Sequence, residues 1–346
     1  MNKILRILIP AAAAAVLSGC AQQVTESTGA QAKEYLDLFM STEYPTIQPD
    51  QWGMYILSDT PGTGADRDKD ASFAYLRCTI RSFGGEILSS TEEDIEKQLD
   101  QDSYKSYNYY GPRYFNTAEG KGYAGLQYLL EGMKVGGKRT AIMPAWLATT
   151  SRFGTMKEYL DACTSSTHLI YEITFEGQCQ DISVQEITEL REYVTAHYGA
   201  SQESTTYKTD QAGGTFYFVS DTTSFKEEDK RADDATLDLI YTGRRLDGQA
   251  FDTNSQEVAL KEGLYVKEKT YEASSVKFSK EYSSISMGGT SSLIEGFKAG
   301  LYKMHWAGQK ATVLFVSDLG YAATGSGSVI PPYCPLIFEL ELKKDE

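Results

Sequence analysis

Residues 292–342 read S-L-I-E-G-F-K-A-G-L-Y-K-M-H-W-A-G-Q-K-A-T-V-L-F-V-S-D-L-G-Y-A-A-T-G-S-G-S-V-I-P-P-Y-C-P-L-I-F-E-L-E-L. Leu293, Ile294, Phe297 and Leu301 recur at helical spacing, so 292–299 reads as a short helix with one apolar face, and Gly300 is placed to stop it. Ala311–Val316 is a β-branched and aromatic run that suits a strand. Leu336, Phe338, Leu340 and Leu342 alternate with Ile337, Glu339 and Glu341, the pattern of a half-buried strand. Between the two strands lies a loop over 317–335, rich in Gly, Ser and Pro, and a long loop on a rigid sheet is where function tends to sit.

Working outward, Tyr241–Asp252 reads Y-T-G-R-R-L-D-G-Q-A-F-D. With Gly296-Phe297, the G-Q-K turn at 308–310, G-Y-A-A-T-G at 320–325 and V-I-P-P at 329–332, these motifs stand in the order seen in FKBP-type peptidyl-prolyl isomerases, and residues 211–344 resemble that family. The resemblance implies an α+β fold in which a twisted antiparallel β-sheet wraps on a short α-helix. It also implies roles. Tyr241, Phe251, Phe297 and Phe338 would wall a prolyl pocket, with Leu293, Ile294, Val329 and Ile330 as the aliphatic rim. The Tyr321 hydroxyl would donate to a substrate carbonyl, and Asp252 would polarise the site or orient Tyr241. Phe297 stands where the family often carries Trp, and Ser326 where it often carries His. Aromatics at alternating strand positions also fill cores with no ligand in view, and Asp252 before Thr253-Asn254 reads equally as a turn residue.

The chemistry asked of such a site is modest. An X-Pro bond is held by an amide barrier of about 18–20 kcal/mol, while its cis and trans forms differ by only about 0.5–1 kcal/mol. A catalyst needs no nucleophile, metal or cofactor. It needs an apolar pocket that disfavours the polar resonance form and hydrogen bonds that fit the twisted amide best. Other chemistries find no support: His168, His197 and His305 are scattered, no H-E-x-x-H or C-x-x-C occurs, and G-T-G and G-S-G-S lack the following helix and Lys of a phosphate loop.

The whole chain has 346 residues, enough for two domains. The order of elements repeats. Gly53–Thr60 parallels Gly214–Thr222, Gly132–Lys138 parallels Tyr302–Lys310, and Leu169–Ile173 parallels Leu336–Leu340. The expected organisation is 51–180 as a divergent FKBP-like domain, 181–210 as helix and linker, and 211–346 as the isomerase domain. In the first unit Cys78 takes the place of Tyr241, Leu88-Ser89 that of Phe251-Asp252, and the Tyr321 position falls near Ala148. No V-I-P-P tip is present there, so that unit is expected to be inactive or nearly so. Helices are expected over 33–40 and 184–198.

One insertion separates the second unit from the family pattern. Residues 253–286 replace a short flap, either as a solvated hairpin decoration or as a segment that covers the pocket, widens it or holds a client. The tyrosine-rich block 104–123 is a client surface or an exposed flap. Cys78, Cys163, Cys179 and Cys334 are free thiols or, for Cys163 with Cys179, a pair of reachable spacing.

At the start, Lys3 and Arg6 precede a short apolar stretch broken by Pro10 and too short to span a bilayer. Leu17-Ser18-Gly19-Cys20 then fits a bacterial lipoprotein cleavage box, so 1–19 reads as a signal peptide, Cys20 as the lipidation site and 20–50 as a tether with a short helix. Ala21 resembles an outer-membrane address, which would place the protein in the cell envelope facing the periplasm. The net charge of −15 argues against nucleic-acid binding. Two functions remain open from the sequence. One is a prolyl isomerase acting on proline-containing clients among exported polypeptides. The other is a non-catalytic, chaperone-like binder of clients or an envelope partner. The oligomeric state is not encoded in any motif.

Overall fold

A computed structural model describes residues 26–99, 104–208 and 213–344. The leader, Cys20 and the first part of the tether lie outside these residues. The elements in order are α1 (Thr28–Glu43), β1 (Tyr55–Thr60), β2 (Phe73–Ser82), β3 (Ile87–Ser90), α2 (Glu93–Leu99), β4 (Arg113–Asn116), α3 (Ala124–Leu129), β5 (Lys138–Met143), α4 (Met156–Ala162) and β6 (Leu169–Cys179). The second half continues with α5 (Ile182–Tyr198), β7 (Thr205–Lys208), β8 (Gly213–Val219), β9 (Thr236–Arg245), β10 (Ala250–Thr253) and α6 (Gln256–Lys261). It ends with β11 (Ser274–Lys277), β12 (Ser286–Met287), α7 (Glu295–Tyr302), β13 (Lys310–Phe315) and β14 (Leu336–Leu342).

Among the described residues the strands form two antiparallel sheets. The first runs β1-β5-β6-β2-β3, with β4 also on β2; the second runs β12-β11-β9-β14-β13-β8-β7, with β10 also on β9. The two share one plan, register for register. Cys78 faces Ile173 as Tyr241 faces Leu340, and Ile80 faces Ser89 as Gly243 faces Asp252. Met143 faces Leu169 as Phe315 faces Leu336. The short 3-10 turns Ala145–Leu147 and Ser317–Leu319 follow β5 and β13 in the same place, so Thr149 stands where Tyr321 does, one residue from the sequence alignment at Ala148.

Each sheet is served by a short helix on one side and is preceded by a longer helix. α7 carries Phe297, Ala299 and Leu301 into the second core. Glycine lets it approach: a Cβ on Gly296 would lie 2.3 Å from the Phe315 ring, and one on Gly300 would lie 2.7 Å from Val313 Cγ1. Gly300 is therefore inside the helix, which runs to Tyr302 rather than stopping at 299; close packing, not termination, is what this glycine serves. α5 is capped by the Asp181 carboxylate, which accepts from the Ser183 and Val184 amides, and ends at Gly199 with φ +88°. Its Leu190 and Val194 lie on Tyr217, Leu314, Val316 and Ile337, the outer face of the second sheet. α1 buries Ala32, Leu36 and Met40 in the first core, packing mainly on α4 and the Ala145–Leu147 turn. It is longer than the apolar pattern at 33–40 indicated, because its first turn packs through Gly29, where a Cβ would meet Leu160 O at 2.1 Å.

The insertion after β10 differs from a solvated hairpin. α6 opens it, but β11 pairs with β9, Ser274 opposite Leu239, and Val276, Phe278 and Ile285 are fully buried in the second core. Cys78, Cys163, Cys179 and Cys334 are all free. No helix of the described residues is long and apolar enough to cross a membrane.

Candidate active site

β9, β10, α7 and the 317–335 loop converge on one corner of the second sheet. Tyr241 lies on β9, and Phe251 and Asp252 lie on β10, which returns through the Leu246–Gln249 turn where Gly248 takes φ +85°. The β9–β10 register slips between Ala250 and Asp252, a bulge that re-aims the Phe251 side chain. Asn254 fixes the hairpin: its Oδ1 accepts from Tyr241 N at 2.8 Å and its Nδ2 donates to Leu239 O at 2.8 Å.

The four aromatics expected to wall a pocket meet here. Phe297 packs edge-on to Phe338 at 5.0 Å and to Tyr241 at 5.6 Å between ring centres, and Phe251 packs edge-on to Phe338 at 5.6 Å. Such T-shaped pairs are the favoured arrangement of aromatic quadrupoles. Phe315 stacks behind Phe338 at 5.9 Å. Phe297 and Phe338 are buried, while Tyr241 and Phe251 are half-exposed at the front. Leu293, Ile294, Val329 and Tyr321 pack on the same cluster half-buried, and Ile330 is buried in it. Leu293 and Ile294 sit just ahead of α7 rather than on it, with Ile294 as its N-cap residue.

The polar part is a chain of three. The Tyr241 hydroxyl donates to Asp252 Oδ2 at 2.8 Å, and Lys269 Nζ from the insertion reaches Asp252 Oδ1 at 3.2 Å. Burial, then the Asp252 charge and hydrogen bond, push the Tyr241 pKa far up, so it remains a neutral donor to the carboxylate. Tyr321 is raised as well, by burial first and by Asp252 second, so its hydroxyl is held protonated at neutral pH. Its loop is tied down by Ala322 N to Ser317 O at 2.9 Å, Gly325 N to Tyr321 O at 3.1 Å and Ser326 N to Ile330 O at 2.8 Å.

Three contributors escaped the sequence reading. Lys269 lies in a run of balanced Lys and Glu with nothing to distinguish it. Gly243 is within the quoted Y-T-G, but its reason is spatial: a Cβ there would lie 2.6 Å from Phe251 Cζ and 2.9 Å from Phe338 Cε1. The third is Arg245, only 4% exposed, which ties the two domains to the pocket rim. Its Nη1 donates to Val329 O at 2.8 Å and to Tyr107 O of the first domain at 3.0 Å, and its Nε pairs with Asp247 at 3.0 Å. Beside it Tyr109 N donates to Ser328 O at 2.8 Å. The tyrosine-rich block thus packs on the second domain's tip instead of standing free.

In the first domain the corresponding corner holds Cys78, Ser89, Leu126 and Thr150, without a hydroxyl–carboxylate pair. Burial pushes the Cys78 thiol up to about 12, so it is neutral and poorly nucleophilic. No three His, Cys, Asp or Glu side chains among the described residues are gathered as metal ligands.

Residues 227–343 match the sequence profile of the FKBP-type peptidyl-prolyl cis-trans isomerases. An FK506-binding protein of Neisseria meningitidis is 41% identical over 56 residues, 16% of this chain and 50% of that protein. FK506-binding protein 2 of Kluyveromyces lactis is 46% identical over 54 residues, 16% of this chain and 38% of that protein. The chain thus spans about half the length, or less, of these curated relatives. A peptidyl-prolyl cis-trans isomerase crystal structure from Pseudomonas syringae pv. tomato aligns over 47% of this chain and 91% of its own, with 21% identity and a TM-score of 0.30. By its matched residues, 227–343, the C-terminal domain belongs to the FKBP-type peptidyl-prolyl cis-trans isomerase family.

Proposed function

We propose that the C-terminal domain catalyses cis–trans isomerisation of X-Pro bonds in polypeptide clients. The observation that carries this reading is the half-open box of Tyr241, Phe251, Phe297 and Phe338 with Tyr241 bonded to Asp252 and Tyr321 at its edge. The apolar walls take the prolyl ring and strip water from the amide, which disfavours its charge-separated resonance form and lowers the rotation barrier. The Tyr321 hydroxyl donates to a substrate carbonyl; Asp252 fixes Tyr241 and sets the polarity of the pocket edge. Val329 and Ile330 close over the chain flanking the proline.

With Cys20 as a lipid anchor, the protein would act in the bacterial cell envelope, on the periplasmic face of the outer membrane, on polypeptides in export. Palmitate labelling of the wild type and of Cys20→Ala tests that placement, and an unlabelled wild type would refute it. For the chemistry, the full chain is assayed on several X-Pro peptides and on a proline-limited refolding protein, beside Phe251→Ala and Tyr321→Phe. Catalysis that drops about tenfold or more with either change is the expected result; a folded chain without catalysis on any substrate sinks the enzyme reading. Lys269 favours a second reading, because it occupies the carboxylate of Asp252 from within this chain's own insertion. On that reading the pocket holds clients without turnover, and Lys269→Ala would leave activity at zero rather than alter a measurable rate.

A further inference from the structure

The 317–335 loop is a partition with two faces. Tyr321, Val329 and Ile330 pack into the second core, while Ala323, Pro332 and Tyr333 line a cavity of about 670 Å³ in the first domain. That cavity occupies the register of the prolyl pocket, with Cys78, Ser89 and Leu126 at the places of Tyr241, Asp252 and Phe297. Its other walls include Ile80, Phe115 and Tyr123. Tyr123 is half exposed at its mouth.

Tyr333 is placed there at a conformational cost, since it takes φ +58°, uncommon for a residue with a side chain. Its ring meets Phe73 edge-on at 5.2 Å. Arg113 also lines the cavity, and its Nε is the one buried side-chain donor or acceptor without a partner among the described residues.

We infer that this first-domain cavity is a second subsite for the client, taking a bulky apolar or aromatic side chain of the same extended polypeptide whose X-Pro bond sits in the C-terminal pocket. The inference rests on the polypeptide-client reading above. Volume and lining suit one such side chain with its flanking backbone. Lacking the hydroxyl–carboxylate pair, the subsite binds and does not turn over. Ile330 and Tyr333 are three residues apart, which limits the separation of the two sites along the loop to roughly 10 Å. A client therefore reaches both with about three to five extended residues. Because one loop walls both sites, occupancy of the first bears directly on the segment that carries Tyr321 and Ile330.

The test uses the full chain and three labelled peptides: a tetrapeptide with one Ala-Pro bond, a decapeptide with that bond and a Leu-Phe pair four residues away, and the same decapeptide with Ser-Ser. Affinity is read by fluorescence anisotropy and turnover by exchange NMR. The Leu-Phe decapeptide is expected to bind at least tenfold tighter than its Ser-Ser counterpart. Ser89→Trp, which fills the cavity mouth from an exposed position, and Tyr123→Ala should each reduce that preference to less than threefold. Both should leave the tetrapeptide's kcat/KM as in the wild type. Equal affinities in the wild type, or a preference that survives both changes, would overturn the subsite. Anisotropy needs no catalysis, so a retained preference without turnover would count against the isomerase reading alone.

Discussion

Gly243→Ala puts the packing of the pocket to a single-atom test. The new Cβ would lie 2.6 and 2.7 Å from two ring carbons of Phe251 and 2.9 Å from Phe338 Cε1. Carbon atoms in contact prefer about 3.5–4.0 Å, so both rings must be relieved, Phe251 by about 1 Å and Phe338 by somewhat less. Phe338 is buried between Phe297 and Phe315 and has nowhere to go. Phe251 is half-exposed and gives way toward the mouth. Over-packing costs about 1–3 kcal/mol, and because the contact with Phe338 is relieved only by a backbone shift, this case falls toward the upper end, about 2–3 kcal/mol. The prolyl ring, however, loses the surface it binds, so kcat/KM should fall by more than the stability change explains, about tenfold for each 1.4 kcal/mol of lost transition-state binding. Hydrogen–deuterium exchange of the β9 and β14 peptides reads local stability, and isomerisation kinetics on the same preparation read the pocket. Loss of protection with unchanged kcat/KM would remove Phe251 from the substrate surface. No change in either would mean that the backbone absorbs the methyl group and that the close fit of Phe251 on Gly243 is not a constraint.

Other predictions follow from buried polar groups. Glu186 on α5 is 3% exposed; its carboxylate accepts from Ser317 N at 2.6 Å and Ser317 Oγ at 2.7 Å, and burial pushes its pKa up to about 7. A carboxyl raised in the folded state binds its proton more tightly there, so its contribution is present at low pH and lost as pH rises from about 4.5 to about 7. At about 1.4 kcal/mol per pH unit the loss amounts to roughly 3 kcal/mol, and Glu186→Gln should flatten the stability–pH curve across that window in chemical denaturation; an unchanged slope would refute it. Arg245→Met leaves Val329 O and Tyr107 O without their shared donor, and a hydrogen bond to a charged group contributes about 1.5–3 kcal/mol. Its expected signature is faster exchange confined to 326–335 and 104–112 and a raised KM, and unaltered exchange there would rule out the tie.

The clustering of the candidate site residues was legible because they fall at fixed offsets in short motifs: Tyr241, Phe251, Asp252, Tyr321 and Ile330 each lie in a quotable string. The same strings exposed the duplication, down to Cys78 opposite the position of Tyr241. Legibility failed where the cause lies far away in sequence. Gly300 looks like a helix stop until Val313 is seen against it. Val276, Phe278 and Ile285 sit among polar neighbours, so their burial in the second core depends on β11 finding β9. Lys269 and Arg245 reach their partners through pairings that charge patterns do not encode. The first turn of α1 packs through small residues, which carry almost no hydrophobic signal.

The docking of α1 and α5 redefines what counts as one copy of the repeat. Each copy is a helix followed by its sheet, so a fragment that starts at Ala200 is not a domain with its linker trimmed but a domain with a wall removed. It would bare Tyr217, Leu314, Val316 and Ile337 to water and leave the Ser317 amide, five residues ahead of the loop turn at Ala322, without the carboxylate that accepts it. Losing Leu190 and Val194 from that face forfeits roughly 1.5–3 kcal/mol each, a large part of the stability of a small domain. A catalytic fragment that reports on the native protein therefore begins at or before Asp181. Silence from a shorter one would be a property of the cut.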